Sequence, residues 1–126
     1  MINHFQGIGN LGTPPVINTV DVEGENRQVV NMRVYFDRPI GGDFKDKGGF
    51  WLSVDVWGFR AEDAKRILKK GARAFFIGTL RSEEWPDEQT GEMREQMRLS
   101  ADHFFIDSIC VDRINYRDKQ KQNTST

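Results

Sequence analysis

The sequence predicts an all-β domain: a five-stranded barrel with one short helix between strands 3 and 4 and a long hairpin late in the chain. Three observations predict it. Successive apolar stretches alternate with period two, the spacing that puts every second side chain on one face of a strand. One segment alone has convincing helical spacing, and it follows the third such stretch. Glycines and prolines punctuate the intervals, as turns and corners do in a small closed sheet.

The totals bound the rest. The chain has 126 residues, one domain's worth and enough to bury a core without disulfides or metal. Hydrophobic residues make up 37% and charged residues 29%, the balance of a soluble globular protein. No apolar run approaches the roughly 20 residues that cross a bilayer, and the first residues do not resemble a secretory signal. The single Cys110 fits a reducing, cytoplasmic compartment and sits in an apolar run, where a buried structural thiol is expected. The net charge of −1 and pI of about 6.1 argue mildly against a nucleic-acid partner. A local basic groove matters more than the sum.

The elements follow in chain order. In residues 4–22, Gly7, Gly9 and Gly12 spell G-x-G-x-x-G, but a dinucleotide site needs a helix to start there. Pro14 and Pro15 follow at once, then strand-favouring Val16, Ile17, Thr19, Val20 and Val22, so a strand bent at glycines is expected. Residues 23–26 read as a polar turn. Residues 29–36 read as the second strand, with Val30, Met32, Val34 and Phe36 on one face and Asn31, Arg33 and Tyr35 on the other. Residues 37–49 form a loop with Pro39, four glycines and several charges, a composition common in binding loops.

Residues 50–58 are the most informative stretch. Phe50, Leu52, Val54 and Val56 should face the core; Trp51, Ser53, Asp55 and Trp57 face away. The face that should be polar thus carries two of the chain's three tryptophans. A helix is expected over 61–70, with Ala61, Ala64, Ile67 and Leu68 packed, Glu62 and Asp63 in the first turn, Lys69 and Lys70 in the last, and Gly71 ending it. Residues 72–82 read as the fourth strand: Ala74, Phe76, Gly78 and Leu80 inward, and Arg73, Phe75, Ile77, Thr79 and Arg81 outward. Phe75 and Ile77 side by side on an outer face suggest a subunit interface. Residues 83–92 read as a hairpin tip with Trp85 among acids, 93–99 as a returning strand and 104–114 as the last strand. The domain is placed at 1–115, with a short disordered polar tail over 116–126. A helix between the third and fourth strands of a small all-β domain points to an oligonucleotide/oligosaccharide-binding (OB) barrel; the alternatives are another small β-barrel or an α+β sheet.

Nothing assembles a nucleophile, a base and an orienting group, so an enzyme is not expected, nor a cofactor or a metal. His4 and His103 have no ligand-spaced partners, and Asp55 is expected to pair with Arg33. The acids Glu83, Glu84, Asp87 and Glu88 read as a solvated run. Single-strand binders, by contrast, combine stacking rings with cations that follow phosphates. The candidate rings are Trp51, Trp57, Trp85 and Tyr35, with Phe44 and Phe59; the candidate cations include Arg33, Lys45, Lys47, Lys70, Arg73 and Arg81. The bland reading of Trp51 and Trp57 is burial under the helix or in a subunit contact.

Several segments, taken in order, resemble the bacterial-type single-stranded DNA-binding protein family: IGNLG at 8–12 with Pro15, VVNMRV at 29–34, FW at 50–51, VWG at 56–58, AED at 61–63, LKKGARAFFIGTLR at 68–81, and Trp85-Pro86-Asp87. The resemblance implies an OB barrel, usually a homotetramer, that wraps single-stranded DNA without sequence preference in replication, recombination or repair. Trp51 and Trp85 match stacking tryptophans of the family, and Trp57 a stacking position that is commonly Phe. Lys70 and Arg81 match basic positions near the DNA path, and Phe44 stands in for a loop ring.

Three departures stand out. Glu83 and Glu84 replace residues that are often basic. The chain ends Lys-Gln-Lys-Gln-Asn-Thr-Ser-Thr, without the family's Gly/Pro/Gln-rich tail and its acidic Pro-Phe end, which puts tail-mediated recruitment of repair and replication partners in question. The near-neutral charge suggests modest affinity or a specialised role, such as service to a plasmid or other mobile element. The competing expectations are a primosome-accessory or protein-interaction module and, more remotely, a metal-dependent enzyme.

Overall fold

The computed structural model describes residues 3–37 and 48–118. Phe44, Lys45 and Lys47, expected in the DNA-binding loop, lie outside the described residues, as does most of the expected tail. Six strands and one α-helix follow in order: β1 (His4–Leu11), β2 (Val16–Val22), β3 (Glu25–Phe36), β4 (Phe50–Trp57), α1 (Phe59–Ile67), β5 (Arg73–Pro86) and β6 (Met93–Ile106). A short 3-10 helix, Ser108–Cys110, follows β6. No helix among the described residues is long and apolar enough to cross a membrane.

The sheet runs β1-β5-β6-β4-β3-β2, and β1 also pairs with β3. That second pairing, Asn10 with Tyr35 and Leu11 with Val34, closes the sheet into a barrel. The barrel has the expected five strands, because the first is interrupted: β1 and β2 both pair with β3, on either side of the break at Gly12–Pro15. Gly9 permits the closure. A Cβ there would meet the Tyr35 carbonyl oxygen at 2.6 Å and Val34 Cγ1 at 2.7 Å. All pairings are antiparallel except β4–β6.

The core follows the alternation. Val30, Met32, Val34 and Phe36 from β3, Leu52, Val54 and Val56 from β4, Ala74 and Phe76 from β5, and Leu99 and Ala101 from β6 are buried together. Phe50 departs from its expected place: at the mouth of the barrel it is 48% exposed and stacks on Phe36 at 5.7 Å.

Two boundaries moved for physical reasons. The helix starts two residues early, after Gly58 and with no side-chain cap, and its last turn carries Lys65 and Arg66 rather than Lys69 and Lys70. Its Ala61 and Ala64, with Leu68 just beyond, enter the core, while Ile67 is exposed. So short a helix is held by that packing rather than by propensity. The chain turns through Lys69–Ala72, where the Gly71 amide donates to the Leu11 carbonyl at 2.8 Å.

The late strands change more. Residues 93–99 and the first part of 104–114 form one strand, β6, and the barrel strand ends at Ile106. A bulge explains the misreading. Ile77 pairs with His103 but Gly78 with Ala101, so one residue of β6 is extra. The inward set switches from odd (Leu99, Ala101) to even (Phe104, Ile106), which from sequence looks like two strands. Cys110 is exposed rather than buried, its Sγ 3.1 Å from the Asp107 carbonyl oxygen. The tip shrinks too: β5 runs through Trp85, which lies opposite Arg94 instead of standing alone among acids.

Phe76 is fully buried at the centre of this core. Phe76→Ala is expected to cost about 3–5 kcal/mol of stability. Denaturant unfolding followed by circular dichroism checks it, with the 79%-exposed Phe59→Ala as a near-neutral control.

Candidate nucleic-acid interface

Alternation and register assemble one outer face across four neighbouring strands. β3 contributes Asn31, Arg33 and Tyr35; β4 contributes Trp51, Ser53, Asp55 and Trp57. β6 adds Gln96, Arg98 and Ser100, and β5 adds Arg81, Glu83 and Trp85. All three tryptophans therefore share a face, although they come from two strands that are not adjacent. Trp51, Trp57 and Trp85 are 49%, 38% and 36% exposed. Each keeps open surface in the single chain, so none is sealed under the helix.

Trp51 is the best-seated ring. Tyr35, directly across the β3–β4 pair, lies 5.1 Å away centroid to centroid. The Arg33 guanidinium sits 5.7 Å over the Trp51 ring, a cation–π distance. The edge of the ring lies close to Gly12, where an added Cβ would come within 2.5 Å of Cη2. The Gly12 amide is fixed in turn by donating to the Arg33 carbonyl at 2.8 Å. Glycine at 12 thus makes room for half of a flat, supported ring whose other half stays open.

Asp55 occupies the middle of the face and is only 2% exposed. It does not pair with Arg33, as the sequence reading expects. Arg33 reaches the other way and donates to Ser53 Oγ at 3.0 Å. Asp55 instead accepts from Asn31 at 2.6 Å, from both Arg98 Nη2 (2.6 Å) and Nε (3.1 Å), and from Arg81 at 3.4 Å. Arg98 and Arg81 each also approach Glu83, at 3.4 and 3.8 Å. The hydrogen bonds that Arg98 donates to Asp55, reinforced by the charges of Asp55 and Glu83, hold the Arg98 guanidinium above the ordinary arginine range, while burial opposes the shift. Gln96 completes the lattice by donating to Ser53 at 3.0 Å.

At the hairpin end, the tip is locked by Asp87. Its carboxylate accepts from the Gln89 amide at 2.8 Å, from the Thr90 amide at 3.2 Å and from Arg94. These bonds, the Gln89 amide foremost, hold its carboxyl below the usual carboxylate value. Beside Trp85 lies an open groove of about 450 Å³, lined by Trp85, Glu92 and Met93–Gln96.

The remaining candidates lie elsewhere. Arg73, at the far end of β5, bridges Asp37 (3.1 Å) and Asp107 (3.4 Å). Lys70 lines a separate groove of about 770 Å³ between the end of α1 and the segment after Cys110. Phe75 and Ile77 are half-buried on the outer side of β5, where Phe75 is flanked by exposed Ile8 of β1 and Phe105 of β6. Sequence reasoning missed Arg98, Gln96 and Gly12 as parts of the site. The alternation of β6 showed which way Arg98 and Gln96 point, but nothing local shows that β6 lies beside β4.

Similarity to known proteins points the same way. The family described as "Single-strand binding protein family" matches residues 2–106. A relative from Xylella fastidiosa (strain 9a5c), named "Single-stranded DNA-binding protein 1", is 31% identical over 103 residues, covering 79% of this chain and 73% of its own. A namesake from Chlorobaculum tepidum is 28% identical over 101 residues, 74% of this chain, which spans only 57% of that relative's length. A third, from Nostoc sp. (strain PCC 7120), is 28% identical over 104 residues, covering 80% of this chain and 79% of its own.

The seat of Trp51 is open to direct perturbation. Gly12→Ala is expected to push the ring off its support and shift the Trp51 indole NH resonance. The Trp57 and Trp85 resonances should stay in place. A two-dimensional NMR spectrum of indole-labelled protein checks it.

Proposed function

The chain belongs to the single-strand binding protein family, and on that premise we propose that it is a non-enzymatic protein that binds single-stranded DNA without sequence preference, in replication, recombination or repair. The observation that carries this reading is the sharing of one outer face by Trp51, Trp57 and Trp85, each partly open. Every base has a π-face, so rings accept any sequence, and each stacked base contributes roughly 1–3 kcal/mol. Trp51 is the primary platform, because Tyr35, Gly12 and Arg33 fix it before a base arrives. Arg33 over that ring is placed to meet a phosphate next to the stacked base. Trp85 extends the path along the hairpin, and Trp57 extends it past the other end of β4. Lys70, on its separate groove, takes up the strand beyond the face.

The functional unit is a homo-oligomer, a tetramer by family habit. Ile8, Phe75, Ile77 and Phe105 give β1, β5 and β6 an apolar outer patch suited to a second copy. None of the three tryptophans belongs to that patch.

Titration with oligo-dT at low salt should quench tryptophan fluorescence, and affinity should fall as salt rises. Trp51→Ala and Trp85→Ala should each weaken binding about 5- to 150-fold with the fold intact. An absence of quenching at low salt overturns the reading.

Assembly is checked separately by light scattering at micromolar concentration. A mass above that of one chain is expected, and Phe105→Asp should lower it. A monomeric wild type would refute the oligomer.

A further inference from the structure

We propose that Asp55 and Glu83 are specificity residues: by holding Arg81 and Arg98 in ion pairs they keep the binding face nearly neutral, so that it takes single strands through its rings and rejects duplex DNA. This rests on the single-strand reading above and adds to it a discrimination that rings alone do not give. Beside the tryptophans, the described part of this face carries Arg33, Arg81, Arg94 and Arg98. Among the described residues, three of them face carboxylates. Arg98 holds Asp55 at 2.6 Å and Glu83 at 3.4 Å; Arg81 lies 3.4 Å from Asp55 and 3.8 Å from Glu83; Arg94 holds Asp87. Only Arg33 is committed to a neutral hydroxyl and a ring.

Non-specific attraction to duplex DNA comes almost wholly from phosphate neutralisation, because stacked and paired bases offer no open π-face. A face whose arginines are bound to its own carboxylates gives a duplex little to hold. A single strand loses less, since exposed bases reach Trp51, Trp57 and Trp85. Asp55 is buried and tied by Asn31 as well, so this pairing is part of the folded face. Glu83 is exposed on its outer side, with 42% of its side chain open, where it also repels approaching phosphates.

The test measures binding of a short oligo-dT and of a blunt hairpin duplex at several salt concentrations. Wild type, Glu83→Gln, Arg81→Gln and the double variant are compared, and Asp55→Asn is added if it folds. Glu83 lies on the surface, so its substitution leaves the core untouched. Arg81→Gln should flatten the single-strand slope of log affinity against log salt by less than about 0.7, less than one full phosphate contact. Glu83→Gln should steepen the single-strand slope by about 0.7, one phosphate contact, and raise duplex affinity several-fold. In the double variant both gains should disappear. If wild type binds oligo-dT but Arg81→Gln flattens its slope by a full phosphate contact or more, or if Glu83→Gln changes neither slope nor duplex affinity, the proposal is overturned and the single-strand reading stands. If no form binds oligo-dT at low salt, both fall.

Discussion

The structure depends on one short contact, the pairing of Asn10 and Leu11 with Tyr35 and Val34. It is the contact that turns an open sheet into a barrel. Gly9 makes it possible, because the β1 backbone there passes too close to β3 for any side chain. Once the sheet is closed, every strand has an inside and an outside. The inside takes Val30, Val34, Val54, Phe76 and Leu99. The outside of β3, β4, β6 and β5 then forms one continuous surface, and the residues that alternate away from the core meet on it.

What fills that surface follows from the cost of burying charge. A carboxylate removed from water must be paired and hydrogen-bonded, or it destabilises the fold. Asp55 meets that demand with Asn31, Arg98 and Arg81, drawn from three strands, and so cross-links the face it sits in. Ser53 plays the same part beside it, accepting from Arg33 and Gln96. Rings standing at the edge of such a lattice are already in place. A ligand that stacks on them loses little to ordering side chains, the advantage that preorganised sites hold over flexible ones.

Much of this was legible in the sequence, and the failures share a cause. The period-two alternation of residues 29–36 and 50–57 identified the core of β3 and β4 and put Trp51 and Trp57 outside. The helix was legible in kind but not in its limits, because Gly58 starts it without a side chain that marks a cap. Phe50 obeyed the alternation and still escaped burial, since a strand can outrun the barrel it belongs to. The bulge in β6 broke the alternation and split one strand into two. Asp55 was expected to pair with Arg33, which alternates onto the outward face of the preceding strand. The true partners come from β6 and β5, and the parallel neighbour of a strand leaves no local trace. The acidic surroundings of Trp85, read as a solvated run, prove to include Asp87, which fastens the tip by accepting from two amides and Arg94.

The parallel pairing of β4 with β6 also gives the domain an order in time. The β2–β3 and β5–β6 hairpins join neighbours in the chain and can form as soon as each is made. β1 is synthesised first, yet its partner along most of its length is β5, with His4 set against Thr79. β4 likewise waits for Arg98–Ala101. Such distant pairings are slow to form, because the loops they close cost entropy before any contact is gained. A nascent chain that ends before β6 therefore holds a β3–β4 ribbon with one apolar face uncovered and a carboxylate at Asp55 without Arg98. The domain's tryptophan face exists only once the last strand has been delivered.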